Sequence, residues 1–195
     1  MSSQVPSRYR PPTVLRDLVL VDLLELTGST SATGRLLGLS QPTVSRRYRS
    51  LASELGLQRI SRNPVGRRFG DAPWMALLRR GINHHRLSCG VIRVGGPPEL
   101  APIFSGCALT QWVTPAGSVL AEWHQLLSEE LLDAVVLPAM PAGHDSICQP
   151  FTVLELHGPS GALAMICRSE LLVLTIAEQV HCWMQHDAAA GSCFA

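Results

Sequence analysis

The chain has 195 residues, of which 46% are hydrophobic, and a formal net charge of +1. This length suffices for one or two domains with hydrophobic cores. The chain starts with polar residues, and no apolar run approaches the ~18 residues of a membrane span. We therefore expect a cytoplasmic protein rather than a secreted or membrane protein. The 6 cysteines form no C-x-x-C pair, which favours reduced thiols over a disulfide framework.

The charge is divided very unevenly along the chain. Residues 1–86 carry 14 Arg against 5 Asp and Glu, whereas residues 87–195 carry 2 Arg against 10 acidic residues. A basic segment is typical of a module that binds duplex nucleic acid, and an acidic one is repelled by phosphate. The charge pattern therefore predicts a DNA-reading part followed by a part with another role.

The first elements in chain order are an arm and two helices. Residues 1–12 are polar and proline-rich, which predicts a flexible arm. A helix is predicted over 13–26, with an apolar side and with Asp22 and Glu25 pointing away from it. A shorter helix over 31–37 follows; its candidate N-caps are Ser29, Thr30 and Ser31. Gly34 inside that helix is expected to cost about 1 kcal/mol relative to Ala.

A third helix is predicted over 41–54, with Ser40 as its N-cap, Pro42 in its first turn and Gly56 at its end. At 100° per residue, one stripe faces inward and consists of Val44, Tyr48, Leu51 and Leu55. The opposite face carries Pro42, Ser45, Arg46 and Arg49. A helix with such a face fits a major groove, where Arg contacts guanine edges or phosphates.

The segment after Gly56 contains a predicted turn at residues 63–66, which indicates a two-stranded wing. Arg62, Arg67 and Arg68 would then lie beside DNA phosphates. A further helix is predicted over 72–87, with an apolar edge formed by Trp74, Leu77, Leu78 and Ile82. Two interpretations of this helix stay open: a linker that pairs with its twin in a dimer, or a core helix that packs on its own domain.

From residue 90 onward strands alternate with helices. Strands are predicted over 91–95, 109–113, 134–137, 151–156 and 163–167. Helices are predicted to start at 98 and to cover 118–130 and 169–185. This alternation indicates an α/β layer with parallel strand pairing. Loops after such strands commonly line small-molecule sites, so the candidate effector-binding residues are Gly95, Gly96, Thr114 and Ser118.

Residues 28–57 resemble the N-terminal domain of the LysR-type transcriptional regulators. The matching residues are Gly28, Ser29, Leu37, Ser40, Gln41, Pro42, Val44, Ser45, Arg46, Leu51, Glu54, Leu55, Gly56 and Arg62. The resemblance implies DNA contacts by Gln41, Pro42, Thr43, Ser45 and Arg46, and a homodimer. Thr33-Gly34 departs from the Ala-Ala usual in the family. Residues 92–102 and 126–137 resemble part of the family's effector domain, of which about half is present.

Together these patterns predict a winged helix-turn-helix over 13–70, a linker helix over 71–89 and a truncated α/β domain over 90–195. The last resembles one subdomain of a periplasmic-binding-protein-like effector domain. The expected function is sequence-specific regulation of transcription by a homodimer bound to double-stranded DNA. The alternatives are an interaction or small-molecule-binding protein with a scaffold-only N-terminal domain, and a decayed regulator.

No motif spacing indicates catalysis, so no enzyme, cofactor or metal site is predicted. The nearest approach to a metal motif is Cys182 and His186, which are four residues apart on a predicted helix. Whether a small-molecule effector binds stays open, as does the direction of regulation.

Overall fold

A computed structural model describes residues 9–12, 15–138, 150–158 and 161–191, with side chains as far as residue 185. Its helices are α1 (Arg16–Thr27), α2 (Thr30–Leu37), α3 (Gln41–Leu55), α4 (Pro73–Ser88), α5 (Gly117–Leu120), α6 (Trp123–Ser128) and α7 (Leu171–Gly191). Its strands are β1 (Ile92–Gly95), β2 (Thr110–Val113), β3 (Ala134–Leu137), β4 (Phe151–Gly158) and β5 (Gly161–Arg168), and a 3-10 helix covers Pro98–Phe104.

Local signals place the ends of α2 and α3. The Ser29 hydroxyl accepts the Ala32 amide at 3.3 Å and the Ser40 hydroxyl accepts the Thr43 amide at 3.4 Å, so each serine caps its helix. Gly56 ends α3 in the left-handed region with φ of 64°, which glycine adopts without steric cost. The predicted caps of α3 are confirmed.

Helix α1 is not amphipathic, contrary to prediction. Every residue from Leu18 to Thr27 is buried, including Asp22 and Glu25 at 1% exposure each. The helix contacts α2, α3 and α4, and its leucines share one hydrophobic cluster with residues of the α/β part such as Leu126 and Ile166. A helix covered on all sides has no polar face, so its carboxylates require partners inside the protein.

The predicted wing strands are absent from residues 57–72, which form a loop, here called the α3–α4 loop. The Ile60 amide donates to the Arg68 carbonyl at 2.8 Å, but no strand ladder follows from it. The amides of Gly66 and Phe69 instead donate to the Glu25 carboxylate. The loop is therefore held by a buried side chain in place of a second strand.

The sheet has the order β2-β1-β3-β5-β4. β1 pairs in parallel with β2 and β3, as predicted, whereas β5 pairs antiparallel with β3 and β4. Parallel pairing was the wrong expectation for the last two strands, because the few residues between β4 and β5 permit only a hairpin. The single helix predicted over 118–130 is two short helices, α5 and α6.

Helix α4 buries only part of the apolar edge predicted for it: Ile82 is buried and Trp74 packs against the core. Leu77 and Leu78 are 68% and 38% exposed, whereas Met75, Ile82 and Leu87 are buried. Polar residues share this buried face: Arg79, Asn83 and Arg86. The expected apolar edge is wrong for the two exposed leucines, because α4 uses its partly polar face to pack against α1 and α7.

Part of the predicted flexible arm is packed against the body of the protein. The Tyr9 ring is 5% exposed and lies 5.8 Å from the His85 ring, centroid to centroid. Residues 1–8 of the arm lie outside the described residues. Among the described helices none is long and apolar enough to cross a membrane.

Candidate nucleic-acid interface

The outer face of α3 carries the residues predicted to contact DNA. Gln41, Pro42, Arg46 and Arg49 are exposed, and Thr43 and Ser45 are half-buried. On the opposite side Val44 is fully buried, and the predicted inward stripe is completed by the partly buried Tyr48, Leu51 and Leu55. The helix therefore has one face in the core and one Arg-rich face in solvent.

Three contacts fix the position of α3. The Tyr48 hydroxyl donates to the Phe69 carbonyl at 2.9 Å, and Arg47 Nε lies 2.6 Å from Asp17 Oδ1 of α1. At the start of the helix, Gln41 Nε2 donates to Thr30 Oγ1 at 3.1 Å. Arg47 thus turns towards α1 while its neighbour Arg46 points outward.

The turn between α2 and α3 explains why a glycine stands at position 34. The Leu39 amide donates to the Gly34 carbonyl at 2.8 Å, and a Cβ atom at Gly34 would lie 2.6 Å from the Leu39 carbonyl oxygen. The preceding residue is also used, because Thr33 Oγ1 lies 2.9 Å from Thr27 Oγ1 inside the core. The helix-propensity cost of Gly34 takes no account of this close approach, from which we expect Ala to be tolerated less well than Gly.

The three arginines predicted for the wing differ in their surroundings. Arg62 is exposed. Arg67 Nη2 lies 3.3 Å from Glu129 Oε1, and Arg68 Nη2 lies 3.2 Å from Glu122 Oε1. Both carboxylates belong to the acidic part of the chain, so the structure brings two predicted phosphate ligands onto protein anions.

The backbone of the α3–α4 loop is anchored by two buried charges. Glu25 accepts the Phe69 amide at 2.6 Å and the Gly66 amide at 3.0 Å, while Arg79 Nη2 donates to the Gly66 carbonyl at 3.2 Å. Burial raises the pKa of Glu25, although the two amide hydrogen bonds act in the opposite direction. Sequence reasoning missed both anchors.

A layer of buried ion pairs, here called the ionic layer, lies beneath this surface. Asp22 lies 2.8 Å from Arg79 Nε and 3.4 Å from Arg93 Nη1. Asp133 pairs with Arg86 and, at 2.8 Å, with Arg168, and it accepts the Arg93 amide at 2.6 Å. The layer joins α1, α4 and β1 with Asp133, which directly precedes β3, and with Arg168, the last residue of β5.

The arginines of the ionic layer favour the charged form of Asp133. Burial acts to raise the pKa of Asp133, but the Arg86 and Arg168 guanidiniums and the Arg93 amide outweigh it and hold the pKa below its usual value. Burial and the neighbouring Arg86 lower the pKa of Arg93. The only sequence signal for this layer was the presence of single charges inside otherwise apolar runs.

Ion pairs between the two halves of the chain change the interpretation of its uneven charge distribution. Several arginines of residues 1–86 pair with carboxylates beyond residue 86: Arg67, Arg68, Arg79, Arg80 and Arg86. Much of the basic surplus therefore neutralises the acidic half. The exposed arginines of α3 are a smaller group than composition indicates.

The candidate effector-binding residues are mostly packing positions. Gly95 and Gly96 are buried; a Cβ at Gly95 would collide with the Leu132 side chain, and one at Gly96 would lie 2.7 Å from the Trp112 ring. Thr114 accepts the Trp112 Nε1 hydrogen bond at 3.1 Å, while Ser118 is exposed. Effector binding at these residues stays a prediction.

Metal-ligating groups do not cluster in the described part of the chain, where no three His, Cys, Asp or Glu residues are placed to share an ion. Cys182 is exposed on α7. The side chain of His186, its predicted neighbour, lies outside the described residues.

No protein-family model and no curated protein matches this chain. Solved structures similar to it include the C206 mutant of OxyR from Corynebacterium glutamicum, with 17% identity over 76% of this chain and 51% of that one and a TM-score of 0.35. Full-length OxyR C199D from Pseudomonas aeruginosa has 18% identity over 73% and 55%, with a TM-score of 0.35. HinK, a LysR family transcriptional regulator from Pseudomonas aeruginosa, has 23% identity over 74% and 52%, with a TM-score of 0.30.

The chain thus spans about half the length of these structures. Such low identities and TM-scores carry no functional conclusion, so the functional reasoning rests on the residues of α3 and its surroundings.

Proposed function

We propose that this protein is a transcription regulator that reads double-stranded DNA with the outer face of α3. The observation that carries the proposal is the two-sided helix: Arg46 and Arg49 are exposed while Val44 is fully buried on the other side. A major groove about 12 Å wide admits one helix, and Arg forms bidentate hydrogen bonds with guanine. The fixed position of α3 presents both arginines together.

Distinct roles follow from position. Arg46 and Arg49 contact base edges, and Arg49 is aligned along the helix because its Nε donates to the Ser45 carbonyl at 3.3 Å. The start of α3 contacts the phosphate backbone through Gln41, Pro42, Thr43 and Ser45, where helix-terminal amides add favourable partial charge. Arg62 contacts an adjacent phosphate, and Arg67 and Arg68 lie farther along the same loop.

The proposal includes a cytoplasmic homodimer on a two-fold site, because one helix contacts only one half-site. The exposed Leu77 and Leu78 of α4 offer apolar area for contact between the two copies. In this proposal residues 13–70 bind DNA, 71–89 connect, and 90–195 form the remaining α/β part. One argument for a decayed regulator was the presence of Thr33 and Gly34 in place of Ala-Ala. This argument is weakened, because both residues take part in packing.

The experiment compares Arg46→Ala with Arg47→Ala. Sites are first captured from genomic fragments and footprinted, and affinities are then measured on a captured site and on unrelated duplex. Arg46→Ala is expected to weaken binding to the captured site by about 5- to 150-fold, corresponding to the ~1–3 kcal/mol of one bidentate base contact. Its effect on unrelated duplex is expected to be much smaller.

Arg47→Ala is the matched control, because it removes the same charge from the adjacent residue, whose side chain faces Asp17. It should weaken binding to both duplexes by the same small factor. Equal losses for the two variants would contradict base reading by α3. Absence of any complex at low salt would instead favour an interaction protein with a scaffold-only N-terminal part.

A further inference from the structure

Two carboxylates of the acidic half hold two arginines of the α3–α4 loop. We propose that Glu129 and Glu122 compete with DNA phosphates for Arg67 and Arg68, so that the protein carries an internal brake on its own DNA affinity. The proposal rests on the proposed function and adds a regulation of the same surface. The arginine–carboxylate distances are 3.3 and 3.2 Å, within ion-pair range.

The loop backbone has anchors in addition to the two ion pairs, and one of these anchors, Arg79, itself lies 3.9 Å from Glu129. Glu25 accepts its Gly66 and Phe69 amides, and Arg79 donates to the Gly66 carbonyl. Gly66 has φ of 97° and approaches Glu129 so closely that a Cβ would lie 3.0 Å from the Glu129 Cβ. Release of Arg67 therefore requires only side-chain rotation, whereas release of Arg68 can keep or break the hydrogen bond from its Nε to the Asn63 carbonyl at 3.1 Å. The anchors at Gly66 and Phe69 remain in either case.

Solvent exposure makes these pairs exchangeable. The Arg67 side chain is 55% exposed and its partner Glu129 is 16% exposed, while Arg68 and Glu122 are 26% and 40% exposed. Pairs of this kind are weak and are screened by salt, and a phosphate offers Arg the same bidentate geometry as a carboxylate. Arg79, at 3% exposure, has no such freedom, which separates the anchor from the exchangeable arginines.

The same carboxylates oppose DNA in a second way. While they hold the two arginines, the pairs are neutral and contribute nothing to counterion release. If an arginine is released, a bare carboxylate stays close to the DNA backbone and repels it. Neutralising Glu122 and Glu129 removes both effects at once, whereas removing a distant acidic charge removes neither.

The test measures binding of the full chain to a nonspecific duplex from 50 to 200 mM salt. For Glu122→Gln/Glu129→Gln the slope of log affinity against log salt is expected to steepen by about 0.9 for each released arginine, that is, by about 1.8 in total. The control is Glu155→Gln/Glu178→Gln, which removes the same charge from exposed positions on β4 and α7. The control should keep the wild-type slope.

A double-mutant comparison isolates one pair. Arg68→Ala should leave the salt slope of the wild type almost unchanged, because the Arg68 that is paired with Glu122 releases no counterion. In the Glu122→Gln background the same substitution should abolish the gain in affinity and in slope. Equal changes of slope in both backgrounds, or a Glu122→Gln/Glu129→Gln slope equal to that of the control, would overturn the brake.

Failure of the brake is distinguishable from failure of the proposed function. If the wild type binds DNA in an Arg46-dependent way but the carboxylate variants match their control, only the brake is wrong. If the wild type forms no complex at 50 mM salt, the proposed function fails and the brake fails with it. Circular dichroism checks folding; should the double variant unfold, Glu122→Gln alone carries the test, because Glu122 is partly exposed.

Discussion

The outer face of α3 and the ionic layer use the same residue type for opposite purposes. Arg46 and Arg49 stand in solvent, whereas Arg86 and Arg93 are completely buried. In solvent an arginine remains available to phosphate or a base, but in the core it requires a carboxylate that it cannot leave. Position in the fold, more than the number of arginines, decides which of them serve DNA binding.

The α3–α4 loop lies between these two extremes. Its Arg67 and Arg68 are paired, as in the ionic layer, yet partly exposed, as on α3. A pair in this intermediate setting can change partner without a change of fold. For this reason we propose that the loop arginines both bind DNA and regulate the DNA affinity.

The largest expected effect comes from breaking the ionic layer with Asp133→Asn. The substitution leaves Arg86 and Arg168 without their buried carboxylate, and removing one partner of a buried pair costs about 3–5 kcal/mol. Urea unfolding followed by circular dichroism measures the free energy of unfolding. The control is Asp17→Asn, which breaks the partly exposed pair with Arg47 and should cost at most about 1 kcal/mol. Equal losses for the two variants would contradict the assignment of the layer.

A smaller effect tests the support of α3. Gly34→Ala brings a methyl group within 2.6 Å of the Leu39 carbonyl oxygen, and overpacking of this kind costs about 1–3 kcal/mol. It is expected to outweigh the gain of about 1 kcal/mol in helix propensity. Gly81→Ala is the matched control, because nothing lies within 4 Å of a Cβ in the middle of α4. Thermal unfolding should show a lower Tm for the first and a higher Tm for the second; a higher Tm for both would show that the α2–α3 turn tolerates Ala.

Local signals in the sequence were enough for α2, α3 and much of the α/β part. Caps such as Ser40 and Gly56 act within one turn of the chain, and the predicted face of α3 needed only the helical period. The short strands were recognisable as apolar runs. For these elements the determining interactions lie close together in the sequence.

Distant interactions were beyond reach of the same reasoning. Asp22 meets Arg79 and Arg93 across 57 and 71 residues, and Glu25 meets the Gly66 amide across 41. Nothing near Asp22 or Glu25 in the sequence indicates such partners, so both were predicted to point away from the apolar side of the helix. The wing was overpredicted for the same reason, because its strand hydrogen bonds are replaced by a carboxylate on another helix.

The smallest expected effect is a pH dependence at Glu25, which accepts the Gly66 and Phe69 amides of the α3–α4 loop. Because its pKa is raised in the folded state above 4.5, the folded protein binds more protons than the unfolded chain between 4.5 and the raised value. Stability from this group is therefore fully present below pH 4.5 and is lost as the pH rises through the folded pKa. Asp22 and Arg79 face the same carboxylate, so the measurement compares variants in which both are retained. Glu25→Gln should lack this decline, and the uncharged core variant Val19→Ala should keep it at lower overall stability. Parallel curves of unfolding free energy against pH for wild type and Glu25→Gln would contradict a raised pKa of Glu25.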